Sequence, residues 1–97
     1  MEKLEVVLEN GRGEVQLFLD NQKAGKMDIG VSDDKLTVYH TEVDPLFEGK
    51  GFGRLLLQRM VVYARENGLK VIPLCPYVHA QFKRRPDEYQ DIWFQNT

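Results

Sequence analysis

"LTVYHTEVDPLFEGKGFGRLLLQRMVVYARENGLKVIPLC", residues 36–75, decides the fold. Its first eight residues, 36–43, are rich in β-branched and aromatic side chains and read as a strand. "DPLFEGKGFG", 44–53, breaks the pattern with glycines at 49, 51 and 53 and reads as a loop. In "RLLLQRMVVYAREN", 54–67, Leu56, Leu57, Met60, Val61 and Ala64 recur at helical spacing, with Arg54, Gln58, Arg59, Arg65 and Glu66 mostly off the stripe. Gly68 is a helix stop, and "LKVIPLC", 69–75, is a second strand. A strand–helix–strand unit places its strands parallel with a right-handed crossover, so both carboxyl ends lie on one side of the sheet. The glycine loop follows one of these ends and Cys75 closes the other. The loop and the thiol should therefore be neighbours, on the side that ligands of α/β units favour.

Before this unit, the period of two recurs in "KLEVVLE" (Leu4, Val6, Leu8) and "EVQLFLD" (Val15, Leu17, Leu19), and more weakly in "KMDIGV" (Met27, Ile29, Val31). The turn signals "NGRG", "NQKAG" and "SDDK" separate them, which predicts an antiparallel meander of four strands ending at 36–43. After the unit, "YVHAQFKRR" reads as a short helix broken near Pro86, and "DEYQDIW" as a last helical turn.

Ninety-seven residues form one domain, 1–97, with a modest core. A hydrophobic share of 42% and a charged share of 29% are those of a soluble globular protein. A net charge of −2 argues against nucleic acid, and no run approaches membrane-spanning length. One cysteine forms no internal disulfide and fits a reducing compartment. With no leader character at the start, the expected location is the cytoplasm.

A helix start offers unpaired N–H groups and the positive end of a dipole, and glycines let the backbone approach an anion with φ > 0. "EGKGFGR" thus has the makings of a phosphate cradle, with Lys50 and Arg54 adding charge. The competing reading is a flexible turn whose glycines serve tight packing. Neither GxGxxG nor GxxxxGK[ST] is present. Pro73 has no N–H to give a ladder, so strand pairing should stop there, and Pro76 biases Cys75 towards an extended backbone. Cys75 is either a reactive thiol or a small buried hydrophobe. His40 is either a base near neutral pH or a strand histidine satisfied by its backbone neighbours. Cys75, His40 and His79 fall one ligand short of a closed zinc site, and no metal is expected.

The combination of "HTEV", "EGKGFG" and "VIPLCPYV" resembles the GNAT N-acetyltransferase superfamily, and more closely its minimal single-domain group. In the superfamily a Q/R-x-x-G-x-G/A segment binds the pyrophosphate of acetyl-CoA; here the matching residues are Glu48, Gly49, Lys50, Gly51, Phe52 and Gly53. Glu48 departs from the usual Gln or Arg but is at home in the small group. Arg85 stands where that group is expected to have a histidine.

The resemblance implies a mixed α/β (α+β) fold, with a four-strand antiparallel meander, a parallel fifth strand and a short C-terminal helix. It implies acetyl-CoA binding by Val43, Glu48, Gly49, Lys50, Gly51, Phe52, Gly53 and Arg54. It also implies that strands four and five splay to admit the pantetheine arm, which would hold Cys75 at the mouth of the cleft with His40 across it. Two chemistries are then open: direct attack by an amine with His40 as base, or acyl transfer through Cys75. Tyr77 is either a proton donor to a leaving thiolate, as tyrosines are in many such enzymes, or packing. Glu42 either orients the site or is solvated, and Lys83–Arg85 either meets the 3′-phosphate of CoA or is a solvated face. The expected acceptor is an amine of a protein, peptide or other large molecule, and the expected state is a monomer. A non-catalytic CoA-binding or protein-interaction module is the alternative.

Overall fold

A computed structural model describes residues 1–95. Strands β1 (Glu2–Glu9), β2 (Arg12–Leu19), β3 (Gln22–Ser32) and β4 (Lys35–Val43) form an antiparallel meander, and β5 (Lys70–Pro73) pairs parallel with β4. The sheet order is β1-β2-β3-β4-β5. Two tight turns have paired positive φ, Asn10–Gly11 and Asp20–Asn21. That pairing matches the twist of a hairpin and favours Asn, Asp and Gly. Helix α1 (Phe52–Glu66) connects β4 to β5, and α2 (Pro76–Arg84) and α3 (Pro86–Tyr89) follow.

One face of the sheet is covered. Val15, Leu17, Met27, Ile29, Leu36 and Val38 form a single core with Leu56, Leu57, Met60 and Ala64 of α1 and Val78 and Phe82 of α2. Tyr89 stacks on Phe82 at 4.6 Å and Trp93 meets it edge-on at 5.5 Å. These rings seal the end of the core.

Several boundaries differ from the sequence reading; β5, for one, spans Lys70–Pro73 and not 69–75. β3 is the longest strand, because the turn is confined to Asp20–Asn21. Gly25, read as a turn glycine, lies inside β3, where an added Cβ would sit 3.0 Å from the Glu42 carbonyl oxygen and 3.3 Å from Leu56 Cδ1. It is a packing glycine. Helix α1 begins at Phe52, not at residue 54. The predicted last turn ends at Tyr89, and the chain then runs beside β5: the Val71 N–H donates to the Ile92 carbonyl at 2.6 Å and the Phe94 N–H to Val71 at 2.9 Å.

The β4–β5 ladder ends at Val38↔Pro73. Pro73 cannot donate, and the chain tightens as the Leu74 N–H bonds back to the Ile72 carbonyl. The Cys75 N–H then makes a last link to the Val38 carbonyl at 2.9 Å before α2 begins. β4 runs on to Val43 beyond β5's end.

The register with β3 slips just there. Ile29 faces Val38 and Asp28 faces His40, which leaves Tyr39 as an extra residue, a β-bulge. A bulge exchanges the faces of the strand residues after it. Leu36 and Val38 point into the core, and a period of two would send His40 after them. Instead Tyr39, His40 and Glu42 are exposed and Thr41 is the half-buried residue.

Candidate active site

The cradle is built from backbone. Asp44 accepts from the Leu46 N–H at 2.9 Å and starts a short 3-10 turn, Pro45–Phe47. Phe47 and the buried Phe52 pack ring on ring at 5.9 Å and pin both ends of the loop. Between them Gly49 and Gly51 hold φ of 81° and 76°. A Cβ on either would meet none of the described residues within 4 Å. At these two positions the glycines serve backbone conformation and an open surface, not packing.

Gly51 caps α1 without a side-chain hydrogen bond, and no acidic residue lies in the first turn. The first intrahelical bond runs from the Leu55 N–H to the Gly51 carbonyl. Among the described residues the N–H groups of Phe52, Gly53 and Arg54 have no acceptor. This is the donor set a phosphate or pyrophosphate requires. Glu48, Lys50 and Arg54 are exposed around it.

Gly53 meets α2. A Cβ there would touch the Tyr77 ring at 3.5 Å. Burial raises the Tyr77 phenol above its ordinary pKa, Arg54 opposes that shift and Cys75 reinforces it. Tyr77 therefore stands between the helix start and the thiol, and stays protonated through the neutral range. The expectation that the loop and Cys75 are neighbours is met through this ring.

Cys75 caps α2 and is only 2% exposed. Its Sγ lies 3.4 Å from Thr41 Oγ1. The expected partner across the cleft, His40, lies on the outer face, with its side chain 59% exposed and its Nε2 3.6 Å from Glu42 Oε2. The bulge is the reason: the residue turned towards Cys75 is Thr41. Sequence reasoning passed over Thr41, whose inward place shows only once Tyr39 is known to be bulged.

The open edge of β4 supplies further groups. The Asp44 N–H bonds to the Ala24 carbonyl at 2.8 Å, so by antiparallel alternation Glu42 and His40 direct their amides to β3. The amides and carbonyls of Thr41 and Val43 then face the side that β5 has vacated. Val43 itself is half-buried.

On the outer face Lys26 Nζ lies 3.1 Å from Asp28 and 3.7 Å from both Glu14 and Glu42, and Lys23 lies 2.6 Å from Glu14. The hydrogen bond from Lys23 is the main cause of the lowered Glu14 pKa, and Asp28 of the raised Lys26 pKa. Glu42 thus lies between His40 and a band of paired charge.

The other candidates sit apart. His79 packs edge-on against Trp93 at 6.0 Å. Among the described residues no group of three or more His, Cys, Asp or Glu is arranged to hold a metal. Lys83 and Arg84 occupy the last turn of α2, where they complement its dipole, and Arg85 lies 3.7 Å from Glu88. No helix is long and apolar enough to cross a membrane, among the described residues.

Comparison with known proteins agrees with this geometry. The family model described as GCN5-related N-acetyl-transferase matches residues 14–92. No curated protein matches the chain in sequence. A GCN5-like protein from Staphylococcus aureus, solved by NMR, is 26% identical with a TM-score of 0.66, over 97% of this chain and 91% of that one. The ribosomal-protein-S18-alanine N-acetyltransferase from Escherichia coli shares the fold at 16% identity, with a TM-score of 0.70, over 75% of this chain. A streptothricin acetyltransferase structure from Bacillus anthracis, in complex with acetyl coenzyme A, does so at 14% identity and a TM-score of 0.61, over 82% of this chain. The chain spans 66% of the Escherichia coli enzyme and 48% of the Bacillus anthracis protein. With a glycine cradle at a helix start, a half-open strand and a family match over most of its length, the chain belongs to the GCN5-related N-acetyltransferase family.

Proposed function

We propose that the chain is an acetyl-CoA-dependent N-acetyltransferase acting on an amine of a protein, peptide or other large acceptor. The observation that carries this reading is the coincidence, at one end of the sheet, of two unused donor sets. One is the uncapped start of α1 beside Gly49 and Gly51. The other is the edge of β4 left unpaired beyond Val38. An amide-rich arm with a pyrophosphate at one end fits both: the edge extends it as a strand would, and the helix start holds the phosphates. Bound acetyl-CoA supplies an activated thioester.

The protein groups have separable tasks in this reading. Val43 and the segment Glu48–Arg54 hold the cofactor. The Thr41 N–H on the open edge donates to the developing oxyanion. His40, exposed beside Glu42, accepts the proton of the incoming amine. The attacking nitrogen bonds to the carbonyl carbon, the carbon–sulfur bond breaks, and Tyr77 returns a proton to the departing sulfur. The raised Tyr77 pKa suits a donor that must arrive protonated.

Direct transfer is favoured because Cys75 is enclosed, which leaves its sulfur little room to meet a thioester. A Cys75 acyl intermediate is the second reading; the Thr41 hydroxyl 3.4 Å from Sγ speaks for it as a donor to a thiolate. Among the described residues α1 and α2 pack on the other face and leave the outer face open, which argues for a large acceptor, since a small metabolite needs enclosure.

The test is mass spectrometry of the protein incubated with acetyl-CoA, with and without peptide amines. Acetylated peptide, undiminished in Cys75→Ala and reduced in His40→Ala, is the expected result. A Cys75 adduct that forms without acceptor and passes to the peptide would establish the second route. Calorimetric CoA binding with no acetylation of any amine would leave a binding module and overturn the enzymatic reading.

A further inference from the structure

We propose that the outer face of the sheet carries an anion site, centred on Arg12, that holds a carboxylate of a peptide acceptor near the amine to be acetylated; it rests on the acetyltransferase reading above. A groove of about 410 Å³ opens on this face between Arg12, Gly30, Lys35, Thr37, Tyr39 and Ile72. The Arg12 guanidinium lies 4.5 Å above the Tyr39 ring centroid. Stacking on a ring leaves the in-plane N–H donors of a guanidinium available, in the fork that matches a carboxylate. Arg12 has no carboxylate within ion-pair distance among the described residues, as is also true of Lys50, Arg54, Arg59, Lys70, Lys83 and Arg84; what sets Arg12 apart is its stacking over Tyr39 at the floor of a groove.

The groove is built for this pair of side chains. Gly30 is its floor: a Cβ there would come within 3.1 Å of Arg12 Cδ and 3.2 Å of the Tyr39 ring. A Cβ there would make both side chains give way by a few tenths of an ångström. Of the charged groups at the groove, Lys35 is paired with Asp34 at 3.0 Å and Asp33 lies at the turn, which leaves the Arg12 guanidinium as the cation that faces the groove. A guanidinium stacked on a ring at the floor of a groove complements a single carboxylate of an acceptor.

Its position gives the site a role. Tyr39 is the bulged residue of β4, next to Val38, where β5 leaves, and to His40, exposed on the same face. From Tyr39 to Thr41 is two strand residues, roughly 7 Å. An extended peptide spans that distance in about two residues. A carboxylate on Arg12 therefore brings a nearby amine to the edge where the thioester is expected. The same groove gives an acceptor with an amide in place of the acid no charged contact.

The test uses two peptides with free amino termini, Ala-Ala-Asp-Ala-Ala amide and its Asn isostere, titrated into the protein by ¹⁵N NMR. The expected result is a shift of the Gly30, Thr37 and Tyr39 amides, with the Asp peptide bound about tenfold more tightly, or about 1.4 kcal/mol. Arg12→Gln, an exposed substitution, should erase that preference and leave CoA calorimetry unchanged. Equal binding of the two peptides, a preference that survives Arg12→Gln, or shifts confined to another face would overturn the site. So would a CoA titration that moves Gly30 and Thr37 only when Arg12 is present, because Arg12 would then be a cofactor ligand. If the wild type binds no CoA but keeps the Arg12-dependent preference, the anion site is supported and the acetyltransferase reading fails. If CoA binds and the preference is absent, the reverse holds.

Discussion

From Lys35 to Val38, β4 is paired on both edges, and Leu36 and Val38 are fully buried under α1. From Tyr39 to Val43 it is paired to β3 alone, and only Thr41 and Val43 are even half-buried. β-Branched content does not separate the halves, since Thr37 and Val38 stand in one and Thr41 and Val43 in the other. Two events separate them: a proline in the neighbouring strand that ends one ladder, and a bulge that re-aims the side chains of the other. The first half provides stability and the second leaves hydrogen-bonding groups for a ligand. A strand that stays in the sheet while one edge goes unpaired holds those groups rigid without using them.

The contrast breaks most severely if the closed half is emptied. Leu36→Ala should cost about 2–5 kcal/mol, because the cavity under α1 cannot fully collapse. Urea denaturation reads this, and a loss below 1 kcal/mol would show that the core is looser than its burial implies.

On the open side, Gly51→Val tests the cradle. A β-branched residue at φ near 76° is strained by about 1–2 kcal/mol and presents methyl groups where a phosphate must approach. Affinity for CoA should fall at least thirtyfold by calorimetry in a variant that still folds. An unchanged affinity would remove the loop from the site.

Thr41→Val sharpens the comparison at the boundary. It removes the hydroxyl beside Cys75 while keeping the β-branched shape. Stability should change by about 1 kcal/mol or less. Any Cys75 adduct with acetyl-CoA should form more slowly, and adduct formation at the wild-type rate would mean that the hydroxyl does not assist the thiol.

The smallest effect is expected from the charged band. Glu14 is depressed in the folded state, so its contribution to stability is complete above its unfolded value, near 4.5, and is lost as pH falls through the lower folded value. Lys23→Met should therefore lower stability slightly at pH 7, where the contribution is complete, and leave it unchanged at low pH where Glu14 is protonated in both states, so that the acid limb is flatter; the effect is small because exposed ion pairs contribute little. An acid limb identical to the wild type would place the acid sensitivity elsewhere.

The alternation of Leu4, Val6 and Leu8 and of Val15, Leu17 and Leu19, the helical stripe from Leu56 to Ala64, and the turn residues Asn10–Gly11 are local signals. Each depends on neighbours within a few residues, so the meander, the strand–helix–strand unit and the place where pairing stops at Pro73 were all legible. The glycine loop was legible as a pattern, but whether its glycines served packing or an open backbone required knowing that a Cβ on Gly49 or Gly51 would meet none of the described residues within 4 Å. The partner of Cys75 was not legible at all. Alternation places His40 on the face of Leu36 and Val38, and a single extra residue, Tyr39, reverses that assignment. A bulge has no local signature here, because it is a mismatch between two strands and exists only once they pair. By itself the sequence determined which segments are strands and helices and where a proline and glycines interrupt them. Tertiary structure alone decided which side chain of β4 meets the thiol, and that Arg12 and Tyr39, twenty-seven residues apart, stack over Gly30. The physical reason is that such contacts depend on register between strands, which the whole sheet sets.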